Sequence, residues 1–282
     1  MPPGAATVRS TIRIAWQGIS CHVPNTWRLE SFSGNFNQGA FTIASPGSVR
    51  LDVKWRRNAP HCDLDAERRK YLSRLESDFK RRRIPFSARL DEGFEFSWKT
   101  SEAKGAGKAI SFDSTVVIAQ ICGGPRDPVP TLASEVFGLI ADHGTEDLAP
   151  WEIYGLSLLL PGQARLTANK ILSGQTRLEF RIDKTDLIAL RTARAHRLIE
   201  GPEADWPKSW LGREDCEIVE VEQVGDIDVY HMVGRFPLGE AIRRRSKSYC
   251  ACAWLNGSDA IALMTIGPGS DTLLQEVVQR SL

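Results

Sequence analysis

Long apolar runs are missing from this sequence: no stretch approaches the roughly 18 consecutive apolar residues of a membrane-spanning helix. The opening stretch, MPPGAATVRSTIRIAW, lacks the continuous apolar segment of a secretory leader, so the expectation is a cytoplasmic protein with no membrane partner. An excess of one charge is missing too. Lys and Arg number 36 and Asp and Glu 35, a formal charge of +1, so no global field draws the chain toward nucleic acid or an anionic surface. Any such attraction has to be local. Cysteine is sparse: six in 282 residues are too few for a disulfide scaffold, and a reducing compartment keeps them as thiols. There is no CxxC, no GxGxxG and no GK[ST], which removes the strong zinc, dinucleotide and P-loop signatures.

What remains is 42% hydrophobic and 25% charged, the composition of a globular protein that can build real cores. Its 282 residues exceed the roughly 100–200 of one ordinary domain, which makes two domains the first expectation. An internal repeat supports it. GISCHVP at Gly18–Pro24 returns as GLSLLLP at Gly155–Pro161, and Arg28-Leu29 falls on Arg165-Leu166 without a gap. Each copy continues with a segment opening at a glycine (Gly39, Gly174) and a third strand, alternating through Val49, Leu51, Val53 and Trp55 in the first and Thr185, Leu187, Ala189 and Arg191 in the second.

The first copy then carries a helix on which Leu64, Tyr71, Leu72, Leu75 and Phe79 recur at helical spacing. The second offers LIALRTARAHRLIEG, read as a strand passing into a shorter helix that ends near Gly201-Pro202. Both close on a buried strand and an amphipathic helix: STVVIAQICGG with TLASEVFGLIADH, and DAIALMTIGPG with DTLLQEVVQRSL. Asn256-Gly257 marks a hairpin ahead of the second of these strands. Extra strand material lies around Phe94–Trp98 and Cys216–Val221. The pattern predicts an α+β class, an antiparallel sheet with packed helices, duplicated in tandem as a pseudo-dimer, with repeats at 1–145 and 146–282. The turn-rich DHGTEDLAP marks the boundary.

The entrance GISCHVPNTWRL, with its strand running into Pro and Trp, followed by short strands, a helix, a late hairpin and a terminal amphipathic helix, resembles the PsbP/DcrB-like fold. The second copy keeps the Gly and Pro but has Ala164 where the first has Trp27. The resemblance implies small non-catalytic modules: photosystem extrinsic subunits, binders of a nuclear-transport GTPase, periplasmic lipoproteins and effector chaperones. What it implies for function is protein binding through an exposed sheet face or its loops, and fold alone is only an associational warrant.

Several groups could carry chemistry. Cys250 and Cys252 alternate on a strand, so both thiols share a face and could begin a metal site, with His231 and Cys216 the nearby candidates for further ligands; the alternative is cysteine as a small buried hydrophobe. Cys21-His22 and His61-Cys62-Asp63 are Cys/His neighbours. Adjacent strand residues point oppositely, so only crossed pairs, Cys21 with His61 or His22 with Cys62, could act together. CGGPRDP at Cys122–Pro128 and its counterpart GPGSD could cradle phosphate or simply close a loop. KRRR at Lys80–Arg83 and RRRSK at Arg243–Lys247, the latter near Tyr249 and Trp254, could grip phosphates, meet a protein partner, or lie solvated. Trp206 and Trp210, in what reads as a loop, mark a contact surface or pack inward.

No residue stands out as catalytic, cofactor-binding or metal-binding. The reading is a non-enzymatic adaptor or accessory subunit that meets a protein partner through a composite two-repeat surface. The alternatives are a binder of nucleic acid or a phosphorylated ligand through the arginine clusters, and a cysteine- or metal-dependent enzyme. The sequence leaves the oligomeric state open.

Overall fold

The computed structural model describes residues 10–59, 62–93, 95–195, 206–211, 216–244 and 246–282. The chain divides into two compact units, Met1–Thr145 and Glu146–Leu282. Among the described residues strands take 53% and helices 20%, and the sheets are mostly antiparallel. The fold is therefore β-rich, which corrects the α+β class expected from the sequence.

In the first unit the order is β1 (Thr11–Trp16), β2 (Ile19–Pro24), β3 (Arg28–Gly34), β4 (Gln38–Ala44), β5 (Arg50–Arg56), α1 (Leu64–Arg81), β6 (Ser87–Leu90), β7 (Glu95–Lys99), β8 (Lys104–Phe112), β9 (Thr115–Gly123), α2 (Val129–Phe137) and the short β10 (Ala141–Asp142). β3 to β9 form one seven-stranded antiparallel sheet in the order β3-β4-β5-β9-β8-β7-β6. β9 is buried along its whole length, as its near-continuous apolar run requires of a central strand. α1 starts at Asp63, whose side chain accepts hydrogen bonds from the amides of Asp65 (2.9 Å) and Ala66 (3.1 Å) and so satisfies two free N-terminal donors. Past its C-cap, Arg82, the chain turns at Arg83, whose φ of +59° is left-handed. Its apolar stripe of Leu72, Leu75 and Phe79 packs with Phe96, Trp98, Ala109 and Ile118 on one face of the sheet. α2 packs on β8 and β9.

The second unit follows this order, with one helix, α4, added between the strands that match β7 and β8: β11 (Leu148–Ile153), β12 (Leu156–Pro161), β13 (Arg165–Leu172), β14 (Gln175–Ile182), β15 (Thr185–Thr192), α3 (Trp206–Leu211), β16 (Glu217–Val224), β17 (Ile227–Arg235), α4 (Leu238–Arg244), β18 (Ser248–Asn256), β19 (Asp259–Ile266) and α5 (Ser270–Ser281). Its seven-stranded sheet runs β13-β14-β15-β19-β18-β17-β16, the same path as in the first unit. α3 covers one face, where Trp206, Met232, Phe236, Tyr249 and Ala251 share a core. α5 lies on β12, β18 and β19.

The structure holds more strand than the sequence pattern expects at two kinds of place. β1 and β11 precede the repeated glycine, where the sequence had suggested only an entrance turn. β6, β7, β16 and β17 are full ladder strands, not scraps. The second-copy segment LIALRTARAHRLIEG begins as β15, and the helix expected toward Gly201-Pro202 falls outside the described residues. The turns after β1 and β11 explain the repeated motif. Gln17-Gly18 and Tyr154-Gly155 both have positive φ at each residue (+55° and +80°, +49° and +78°), a turn whose twist matches a two-residue hairpin. Among the described residues, no helix is long and apolar enough to cross a membrane.

Candidate functional site: a lysine-lined cleft beside the second helix

The site is built on the sequence KGAGK at Lys104–Lys108, in β8. Register places Gly105 opposite Trp98 and Gly107 opposite Phe96. Both rings lie where a Cβ on the glycine would sit, so nothing larger fits there. Trp98 is further fixed by its indole N–H, which donates to the Gln120 side chain at 2.7 Å. The rings point toward α1, so alternation turns Ser97, Lys104, Ala106 and Lys108 to the opposite face. There the sheet and α2 enclose a cleft of about 860 Å³, within the usual range for ligand sites. Its floor is small, Ser97 and Ala106, and its wall is the apolar edge of α2 at Val129, Ala133 and Phe137.

Charge around the cleft is uneven. Arg89 pairs with Asp91, and Lys108 with Glu95 at 3.2 Å. Lys99 and Lys104 stand directly opposite each other across β7 and β8. Among the described residues neither is within ion-pair distance of an acid, although Asp127, held below the usual carboxylate range first by hydrogen bonds from Ser48 and Gly124, is lowered a little further by the charge of Lys104. Directly opposed like charges destabilise an antiparallel pair.

The equivalent position in the second unit is different. Counting back from the two-residue turns joining β8 to β9 and β18 to β19, Ala106 and Lys108 correspond to Cys250 and Cys252, Glu95 to His231, and Lys99 and Lys104 to Arg235 and Ser248. The space left there is about 230 Å³, lined by Glu220, Glu222, His231, Gln275, Val278 and Gln279. His231 sits 3.1 Å from the Glu222 carboxylate.

Cys250 and Cys252 thus share a face, the one covered by α5. Cys216 lies on the other, within the α3 core and 4.0 Å from the Met232 sulfur, so it cannot join them. Burial raises the Cys252 thiol well above its ordinary range; burial and then the charge of Asp271 raise that of Cys250. Raised thiols are poor ligands and poor nucleophiles at neutral pH. Among the described residues, no group of three or more His, Cys, Asp or Glu is placed to hold a metal ion.

Cys21 is fully buried between the first-unit strands and pushed up to about 12 by desolvation, while His22 points the other way and is half-buried. His61 lies outside the described residues; Cys62 meets the Arg56 guanidinium at 3.7 Å, and Asp63 is the α1 cap. In CGGPRDP the place of an anion is filled from within. The Asp127 carboxylate accepts from the Gly124 amide (2.6 Å) and the Ser48 hydroxyl (2.5 Å), and those bonds hold it ionised. The following helix has Pro130 in its first turn, one fewer amide to offer. In GPGSD, Ser270 folds its hydroxyl onto the Gly267 carbonyl.

Lys80–Arg83 is exposed at the C-terminal end of α1, where cations suit the helix dipole, and Arg81 pairs with Asp78. Arg244 pairs with Glu240 at 2.8 Å; Arg245 and the Arg243 side chain lie outside the described residues. Trp206 and Trp210 are on α3, ring centroids 6.0 Å apart, and Trp206 also meets Tyr230 at 5.8 Å. They pack inward on their own unit.

Two features were missed in the sequence. One is the cleft, whose signal was available: lysines two strand positions either side of an alanine, with glycines between. The other is a Ser20–His143 hydrogen bond of 2.8 Å, between residues 123 apart, which only the fold brings together. Ser20 is 3% exposed, too enclosed for its hydroxyl to meet a substrate. No protein-family model matches the chain, and neither does any curated protein.

Proposed function

We propose that this chain is a non-enzymatic adaptor or accessory subunit that binds a protein partner, and that the first-unit cleft is its binding surface. The observation that carries the reading is the cleft itself: a preformed hollow with an apolar helix wall, a floor of small side chains and polar groups at the rim. That composition suits recognition of another chain. Among the described residues, thiols at Cys21, Cys122 and Cys252 are raised by burial, and the Ser20 hydroxyl is tied to His143. The resemblance to PsbP/DcrB-like modules, which bind proteins through a sheet face or loops, supports the same reading, and a cytoplasmic setting is proposed with it.

A pull-down of the tagged chain from lysate of its native source, with and without nuclease, tests it. The expected result is a protein recovered in stoichiometric amount by the native chain after nuclease treatment. A defined turnover by the purified protein would overturn it.

A second reading, binding of an anionic polymer, has one observation in its favour. Beside α1 and β5, Lys54, Arg56, Lys70 and Arg74 gather around a shallow pocket with Glu67 as its one acid, and Lys54 lies 5.0 Å over the Tyr71 ring. Recovery of the partner that disappears with nuclease, and falls steeply with salt, would favour it.

A further inference from the structure

We infer that the first-unit cleft takes an acidic, apolar-anchored segment of the partner protein, with a carboxylate seated between Lys99 and Lys104 and apolar side chains against the Phe137 edge of α2. The inference rests on the adaptor reading above and names the chemistry of its partner.

Charge complementarity is the first argument. Of the four basic side chains around the cleft, Arg89 and Lys108 are neutralised by acids of their own unit. The two that form no ion pair among the described residues are neighbours, with Cβ atoms roughly 4.5–5.5 Å apart as for any directly opposed pair. Their repulsion is a standing cost of the empty cleft. A carboxylate between them removes it and accepts a charge-assisted hydrogen bond from each ammonium.

Shape is the second. Alternation puts Gly105 and Gly107 on the far side, under Trp98 and Phe96, and leaves only Ala106 between Lys104 and Lys108 on the near side. The lysines therefore stand as posts about a low floor, and a chain lying along it reaches Ala133 and Phe137 on the α2 wall. Such a segment needs both acidic and apolar side chains.

The same features disfavour nucleic acid here. The rings of β7, Phe96 and Trp98, face α1, so the floor offers no aromatic surface on which bases could stack. The second unit has no such lysine pair, since Arg235 and Ser248 occupy those positions, so the acidic segment belongs to the first unit alone.

Fluorescence anisotropy with the full chain tests the proposal directly. The probes are a fluorescein-labelled peptide alternating Glu and Leu, one alternating Lys and Leu, and labelled single-stranded oligothymidylate. The Glu/Leu peptide is expected to bind, and the Lys99→Glu/Lys104→Glu variant to weaken it by roughly tenfold or more. Both lysines lie on the surface of the sheet, so the double variant keeps its fold, which circular dichroism checks. Ala106→Trp, which raises the floor without touching charge, is expected to weaken binding as well. The proposal is overturned if the Glu/Leu peptide fails to bind, if the charge reversal leaves its affinity unchanged, or if the Lys/Leu peptide or the oligonucleotide binds as tightly. The pull-down separates this failure from that of the adaptor reading. A partner captured equally by native chain and double variant removes the cleft and keeps the adaptor, whereas no partner for the native chain removes the adaptor itself.

Discussion

Gly107 shows how much one hydrogen atom decides in this sheet. A methyl group there overlaps the Phe96 ring, which is 1% exposed and hemmed in by Tyr71 at 5.5 Å. Gly107→Ala should therefore cost about 1–3 kcal/mol, the usual range for overpacking, read as a lower urea midpoint at unchanged slope. Cys21 makes a different residue-scale prediction. Its thiol has an ordinary value of 9.0 and is held at about 12 by burial. Below pH 9 it is neutral folded or unfolded and costs nothing. Between pH 9 and 12 the unfolded chain loses that proton and the folded chain keeps it, so stability drops as pH rises, by about 1.4 kcal/mol per pH unit from this group. Urea titrations at pH 8 and pH 11 should show a smaller loss for Cys21→Ala than for the native chain. At this scale the sequence was informative about direction and mute about surroundings. Alternation placed Cys250 and Cys252 on one face, but which helix covers that face depends on chain crossing, which no local pattern encodes.

Elements are held to one another by buried polar pairs that the sequence did not disclose. Arg57, just past β5, reaches Asp142 on β10 in an ion pair with side chains 6% and 5% exposed, donates to the Gln17 carbonyl at 3.0 Å, and lies 3.9 Å over the Phe36 ring. It also sits 2.9 Å from where a Gly18 Cβ would be, so that turn needs glycine for its space as well as for its φ. In the second unit Arg191 occupies the same relation to Gly155 and pairs with Asp259. There the side chains are 15% and 20% exposed. Removing one partner of an enclosed pair leaves a charge without compensation, so Asp142→Asn should lose roughly 3 kcal/mol and Asp259→Asn distinctly less. Differential scanning calorimetry of the two variants would rank them. The α1 helix was legible from Leu64 to Phe79 because its apolar stripe is local information. The hairpin glycines were visible as a motif, yet the strands before them were not, because their alternation is short, one lying in the stretch tested as a leader and the other against the turn-rich boundary.

Across the whole molecule, the duplication was legible in its opening strands and closing helices and faded in between. Part of the reason is physical. In the first unit the slot between β7 and β8 is filled by Trp98 leaning over Gly105; at the matching place in the second, Tyr249 of β18 leans over Gly234 of β17. The ring has changed strands and the filled space has not. Trp98→Gly with Gly105→Tyr would transplant the second arrangement into the first unit. The double variant should be less destabilised than the sum of its single changes, a coupling that a double-mutant cycle on urea midpoints measures. Placed letter against letter, the halves disagree at a point where a ring fills the same slot in both. What is inherited at such a slot is a quantity shared by two strands, and either can carry it, so long as neither moves alone.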